Sequence, residues 1–290
     1  MYKRQVQEKS DRLLLRLREE GRQSPADLLL TADIGVLESA RENDLLQPKQ
    51  SPLLVSLIPA RYRDPQGFWF GLSLRARMIL YAPGRLDRDV IHDYVDLSSP
   101  TLKGRLCIRS LDHVYNQSLI AALISRWGEA KALDWLQGVA ENLARPPQGG
   151  DRDQIRAMVD GVCDVALVNS YYFAMMLNSE NEQDRQVATQ AAWIWPDSGV
   201  HVNISGGGVT RYAPHPQLAV DFLEFLVGFH RQRLYAELNQ EYPAVAGVPV
   251  SHTLMRLGAF EADYQPLAQI ARQRKSALAL IARLEKERNE

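Results

Sequence analysis

The chain has 290 residues, 46% hydrophobic and 24% charged, enough apolar material for one large domain or two modest ones. Its 34 basic and 35 acidic side chains leave a net charge of -1, which argues against a nucleic-acid footprint or a polybasic membrane face. Apolar runs such as VALV (165–168) are far too short to span a bilayer.

The opening stretch, MYKRQVQEKSDRLLLRLREEG, has no apolar signal-sequence core. It reads as an amphipathic helix, with Leu13, Leu14 and Leu17 on one face and Arg12, Arg16 and Glu19 elsewhere. A domain that opens inside a helix is expected to continue upstream. Ser24-Pro25 ends the helix, ADLLLTAD (26–33) reads as a buried strand, and IGVLESARENDLL follows with helical spacing. FWFGLSLRARMILYAPG (68–84) holds two strand-like runs, the second ending at Pro83-Gly84, and KGRLCIRS (103–110) is a further short strand. YNQSLIAALISRWGEAKALDWLQGVAENL gives two helices broken at Gly128. GGDRDQIRAMVDGV is expected to be a helix that opens at a glycine pair and is capped by Asp151. CDVALVNS is a buried strand, YYFAMMLNSENE a helix, and VHVNISGGGVTRYAP (200–214) a strand with a flexible triple glycine, Gly206, Gly207 and Gly208. The remainder is helical, interrupted near 242–249. Such alternation predicts an α/β protein with mostly parallel sheets, whose ligand sites lie at the carboxyl ends of strands.

Tyr171 and Tyr172 fall at one such end, where CDVALVNS gives way to a helix. Neighbours on a strand point to opposite faces, whereas at a strand-to-helix turn they can converge. A helix N-terminus also favours negative charge. Free tyrosine has a pKa of about 10, so an anionic pair at neutral pH requires a strong cation. Phenolate is a hard donor suited to a hard, highly charged ion such as Fe(III). Taken alone, adjacent tyrosines are usually packing residues; Tyr115, at a second strand-to-helix turn after RLCIRS, supplies a third hydroxyl aimed the same way. The six histidines are scattered, with no pair at metal-ligand spacing. Cys107 and Cys163 read either as two small core residues in a reducing compartment or as one disulfide in an oxidising one, and spacing does not decide between them.

The stretches SPADLLLTAD, FWFGLSLRARMILY, KGRLCIRS, YNQSL, NLARPPQGGDRDQI, GVCDVALVNSYY, NISGGGV and LYAELNQEYP resemble the periplasmic ferric-iron-binding proteins of ABC transporters. The resemblance runs from about residue 8 to the C-terminus, and NSYY with YNQS and PQGGDRDQ is its most specific part. It implies a two-lobed, type II periplasmic-binding-protein fold that closes over Fe(III) and passes it to an inner-membrane permease. One lobe would comprise 1–77 and 202–252, the other 78–201 and 253–290. Carried over, Tyr115, Tyr171 and Tyr172 are the metal ligands, joined by a synergistic anion such as carbonate. Arg75 and Arg77 are candidates to hold that anion, since guanidinium suits bidentate oxyanions; a solvated strand edge is the alternative role for either. Cys107 and Cys163 would pair, and LSLRARMILY and VNISGGGV would be the two crossings, with Gly206, Gly207 and Gly208 as hinge. The protein is expected to be a periplasmic monomer with no nucleic-acid partner and no turnover.

Some members place a glutamate ligand after the strand threonine. Here Ala32 stands there, which points to the glutamate-free subclass and leaves Asp33 a weak site candidate. Members also carry a His or Tyr ligand at the end of their first strand, and this chain is expected to begin after that point. It is therefore expected to lack both that ligand and the strand itself, and to fold poorly or bind iron weakly. A protein of the same fold for an oxyanion, polyamine or thiamine-like ligand is the alternative, although such ligands need no phenolate cluster. No G-x-S-x-G, H-E-x-x-H or facial His/carboxylate pattern supports an enzyme.

Overall fold

A computed structural model describes residues 4–289. Residues 1–3 and 290 lie outside the described residues. Helix α1 (Ser10–Glu20) lays Leu13, Leu14 and Leu17 against Leu29, Ala40 and Leu46 and ends at Gly21, whose φ of 50° suits a residue without a Cβ. Strand β1 (Leu28–Thr31) leads into α2 (Ile34–Glu42), which is capped by the Asp33 carboxylate accepting from Val36 N at 3.3 Å. After α3 (Pro52–Leu57) comes β2 (Phe70–Tyr81), a single long strand where the sequence suggests two. Strand β3 (Leu106–Cys107) precedes α4 (Val114–Trp127) and α5 (Glu129–Glu141), parted at Gly128 with φ 83°. Then follow α6 (Asp151–Val159), β4 (Val165–Asn169), α7 (Ser170–Leu177), α8 (Glu182–Ala188), β5 (Ala192–Ile194) and β6 (Val202–Val209). Helices α9 (Pro216–Val227) and α10 (Phe229–Asn239), the short β7 (Tyr242–Pro243), and helices α11 (His252–Arg256), α12 (Leu267–Arg272) and α13 (Arg274–Asn289) complete the chain. No helix among the described residues is long and apolar enough to cross a membrane.

The strand order is β1-β6-β2-β4-β3, with β5 and β7 also on β2. The sheet is mixed, which corrects the expectation of mostly parallel pairing: of the named strand pairs only β3–β4 is parallel. The strand–helix alternation is honoured locally, because α4, α5 and α6 return the chain from β3 to the same end of the sheet at β4. The long β2 runs against β4, β5, β6 and β7 alike. It pairs with β6 through residues 70–76 on one edge and with β4 from Arg77 to Tyr81 on the other, with Arg77 N still donating to the His201 carbonyl on the β6 side. Beyond Arg77 its side chains alternate between two apolar layers. Met78 and Leu80 join Val168 and Phe173 on one face, while Ile79 joins Leu119, Leu123, Trp135 and Ile281 on the other. A third layer gathers Leu54, Phe70, Val209 and Leu223.

Two further points concern glycines. Gly206, Gly207 and Gly208 lie within a strand, as expected, as paired residues of β6 flanked by β1 and β2. A Cβ on Gly206 would stand 2.7 Å from the Phe70 carbonyl oxygen, and one on Gly207 2.6 Å from Leu30 Cδ2. Glycine permits close approach there. Gly150, not Asp151 as expected, caps α6; the Asp153 carboxylate reaches back to Gly150 N at 2.7 Å, which frees Asp151 for other partners. Cys107 and Cys163 form a disulfide that ties β3 to the residues just ahead of β4.

Candidate metal-binding site

Two strand-to-helix turns build the site. At the first, β4 ends at Asn169 and Tyr171 and Tyr172 sit in the first turn of α7, their ring centroids 4.1 Å apart. At the second, His113 caps α4 by accepting from Tyr115 N at 3.3 Å and sets its ring edge-on to Tyr115, with centroids 4.5 Å apart. The turns face each other, so that the Tyr115 and Tyr171 hydroxyl oxygens lie 3.1 Å apart, and the Tyr172 hydroxyl acts on both. The structure thus brings together all three tyrosines that the sequence singles out, with the N-termini of α4 and α7 beneath them.

Burial is the main influence on the Tyr115 and Tyr171 phenols. It raises the pKa of Tyr115, against the pull of the Arg75 guanidinium, and raises that of Tyr171, which Tyr115 and Tyr172 push up further. The protein alone therefore holds these phenols protonated, and only a strong cation would convert them to phenolates. Among the described residues no group of three or more His, Cys, Asp or Glu could hold a metal ion.

The guanidinium groups divide in a way the sequence does not reveal. Arg75 is buried with its centre 5.3 Å from the Tyr115 ring; it donates to the carbonyls of Ala32 and, at 3.0 Å, Ile204, and its Nε has no partner. Arg77 points elsewhere: its terminal nitrogens go to Asp151 Oδ2 at 3.2 Å, Asn116 Oδ1 at 2.6 Å and Asn169 Oδ1 at 3.5 Å. Its side chain is 1% exposed and paired with the Asp151 carboxylate. Arg109, which sequence reasoning missed, lies 4.9 Å over the Tyr115 ring and pairs with Asp151 Oδ1 at 3.0 Å. Arg152 lies 6.0 Å over the Tyr172 ring. The available signal was position: Arg109 closes the KGRLCIRS strand segment and Arg152 follows the glycine pair, both near the turns that carry the tyrosines. Asp33 is buried and committed to capping α2 and to accepting from Asn203 Nδ2 at 2.6 Å, so it takes no part in the cluster.

The chain matches the family model described as bacterial extracellular solute-binding protein over residues 23–255. It is 41% identical over 268 residues to iron uptake protein A1 of Synechocystis sp., an alignment covering 91% of this chain and 74% of that one. Among solved structures, a Trichodesmium protein in complex with iron and citrate ligands is 41% identical with a TM-score of 0.92, covering 96% of this chain and 89% of its own. The ferric binding protein from Campylobacter jejuni is 35% identical with a TM-score of 0.95, covering 98% and 91%.

Proposed function

The chain belongs to the bacterial extracellular solute-binding proteins, a family that binds solutes rather than transforming them, and we propose that its cargo is Fe(III). Tyr115, Tyr171 and Tyr172 supply three phenolate oxygens, which together neutralise the charge of the ion. A small anion, carbonate or a carboxylate such as citrate, completes the shell against Arg75. The observation that carries this reading is the convergence of the three hydroxyls from two separate turns, with Tyr115 and Tyr171 oxygens 3.1 Å apart. The similarity to iron uptake and ferric binding proteins supports it. The protein would work in the periplasm, where the disulfide between Cys107 and Cys163 persists, and would pass its iron to an ABC permease.

The two lobes would comprise 1–77 with 202–252 and 78–201 with 253–290. Supporting this, the named pairing of β2 with β6 ends at Ala76 while that with β4 begins at Arg77, and α13 packs on α4 and α5. Because burial holds Tyr115 and Tyr171 protonated, iron must displace their protons on binding, and loading weakens as pH falls.

The test is to add Fe(III) with carbonate or citrate to the purified chain and record the visible phenolate-to-iron charge-transfer band. The band should appear in the unsubstituted chain and be lost or strongly reduced in Tyr115→Phe and Tyr171→Phe. No band in the unsubstituted chain overturns the reading.

A further inference from the structure

The glycine-led segment 149–154 contributes no ligand to the proposed site, yet it is built with unusual rigidity. Gly149 has φ 69°, Gly150 N donates to Asp153 Oδ2 at 2.7 Å, and Gln154 Nε2 donates to the carbonyls of Gln148 at 2.6 Å and Gly150 at 3.0 Å. The product of this locked turn is the placement of Asp151, which is 1% exposed.

One carboxylate there holds three parts of the molecule. Its Oδ1 accepts from Arg109 Nη1 at 3.0 Å; its Oδ2 accepts from Arg77 Nη1 at 3.2 Å and from the backbone N of Asn169 at 2.7 Å. Asn169 is the last residue of β4 and immediately precedes Ser170, Tyr171 and Tyr172. Arg109 reaches the other side of the cluster, 4.9 Å over the Tyr115 ring. Both arms of the tyrosine cluster therefore hang from Asp151. Two guanidinium groups against one carboxylate also leave a net positive charge in a desolvated place, and Arg109 turns it toward the Tyr115 ring.

We infer that Asp151 is the positioning residue of the tyrosine cluster: by clamping the Asn169 amide and presenting Arg109 to Tyr115 it aims the hydroxyls at a common point before the metal arrives. This rests on the Fe(III) reading above. Groups that orient ligands without touching the metal commonly change metal affinity by about 10–100-fold when replaced. An amide cannot replace this carboxylate. In Asp151→Asn the side-chain NH2 must face a donor, either Arg109 on one side or Arg77 and the Asn169 N–H on the other, so one arm is released.

The experiment compares the unsubstituted chain with Asp151→Asn and Arg109→Gln, titrating each with ferric citrate and following both affinity and the charge-transfer maximum. Asp151→Asn should bind iron at least about tenfold more weakly with a shifted, weaker band, and Arg109→Gln should shift the band through the Tyr115 arm alone. A purely structural role would lower the melting temperature and leave the band maximum in place. If both variants keep the affinity and band of the unsubstituted chain, the positioning role is wrong while the Fe(III) reading stands. If the unsubstituted chain shows no band, the Fe(III) reading fails and this role with it. Should Asp151→Asn not fold, Arg109→Gln decides alone: a shifted band supports the role and an unchanged one removes it.

Discussion

Replacing Gly206 by alanine separates two meanings of the triple glycine. In the sheet, Gly206 pairs with Thr31 on one side and Gly71 on the other. A Cβ there would stand 2.7 Å from the Phe70 carbonyl oxygen and 2.9 Å from Leu37 Cδ1. The leucine methyl can turn aside, but the carbonyl belongs to the backbone of β2 and moves only if the strand moves. Overpacking of this kind costs about 1–3 kcal/mol, and alanine returns about 0.4–1 kcal/mol by restricting the unfolded chain. The net loss centres near about 1.3 kcal/mol, which for a chain of this size lowers the melting temperature by about 3–5 °C. Thermal unfolding followed by circular dichroism, without iron, measures it. A hinge role predicts the opposite pattern, an unchanged melting temperature with altered lobe closure. A melting temperature equal to or above that of the unsubstituted chain would refute the packing argument, since the entropic return would then match or exceed the whole cost of overpacking.

The disulfide between Cys107 and Cys163 spans 56 positions, and closing a loop of that length in the unfolded chain is worth about 4 kcal/mol. Cys107→Ala with Cys163→Ala should therefore lower the melting temperature by about 10 °C, measured with and without reductant on the unsubstituted chain as a second check. No shift would mean that the β3–β4 pairing already closes this loop in the unfolded ensemble. Acid should act through His201, which is buried and bonded through Nε2 to Ser118 Oγ at 2.9 Å. Burial pushes its pKa down to about 4, as does Arg77, against the opposing pull of Asp263. Between about pH 6.5 and 4 the unfolded chain then binds a proton that the folded chain does not, so stability falls as pH falls through that window, by up to about 3 kcal/mol. Urea unfolding across this range should show His201→Gln with a shallower slope than the unsubstituted chain; equal slopes would remove His201 from the account.

The tyrosine cluster was legible because each turn is written locally: a short apolar strand, a few polar residues, then a helical run. Burial periodicity records which face of a strand is covered, and so it found β1, β3, β4 and β6 and the helices that follow them. It does not record direction. The parallel expectation failed at β2 because a twelve-residue strand that serves two neighbours looks, in sequence, like two strands. The cap reading failed at Asp151, where a polar residue at a helix start has the same sequence signature whether it caps the helix or, as here, holds Arg77, Arg109 and Asn169.

Arg75 and Arg77 show the limit most directly. Two residues apart on one strand, they point to the same face and carry the same group, so sequence gives no ground for assigning them different work. The difference lies in what runs alongside. Arg75 stands opposite Asn203 of β6, donates to the Ile204 carbonyl and keeps its guanidinium beside Tyr115. Arg77 stands opposite Asn169 of β4, where the buried carboxylate of Asp151 waits. These different surroundings give one repeated residue two settings, a cation beside the Tyr115 ring and a buried counter-charge to Asp151. Such surroundings are a tertiary matter, set by strands more than 90 residues away along the chain, as the pairing of Arg77 with Asn169 illustrates by a separation of 92. A substitution at either arginine should for that reason be read against its own neighbour strand, and not against the other arginine.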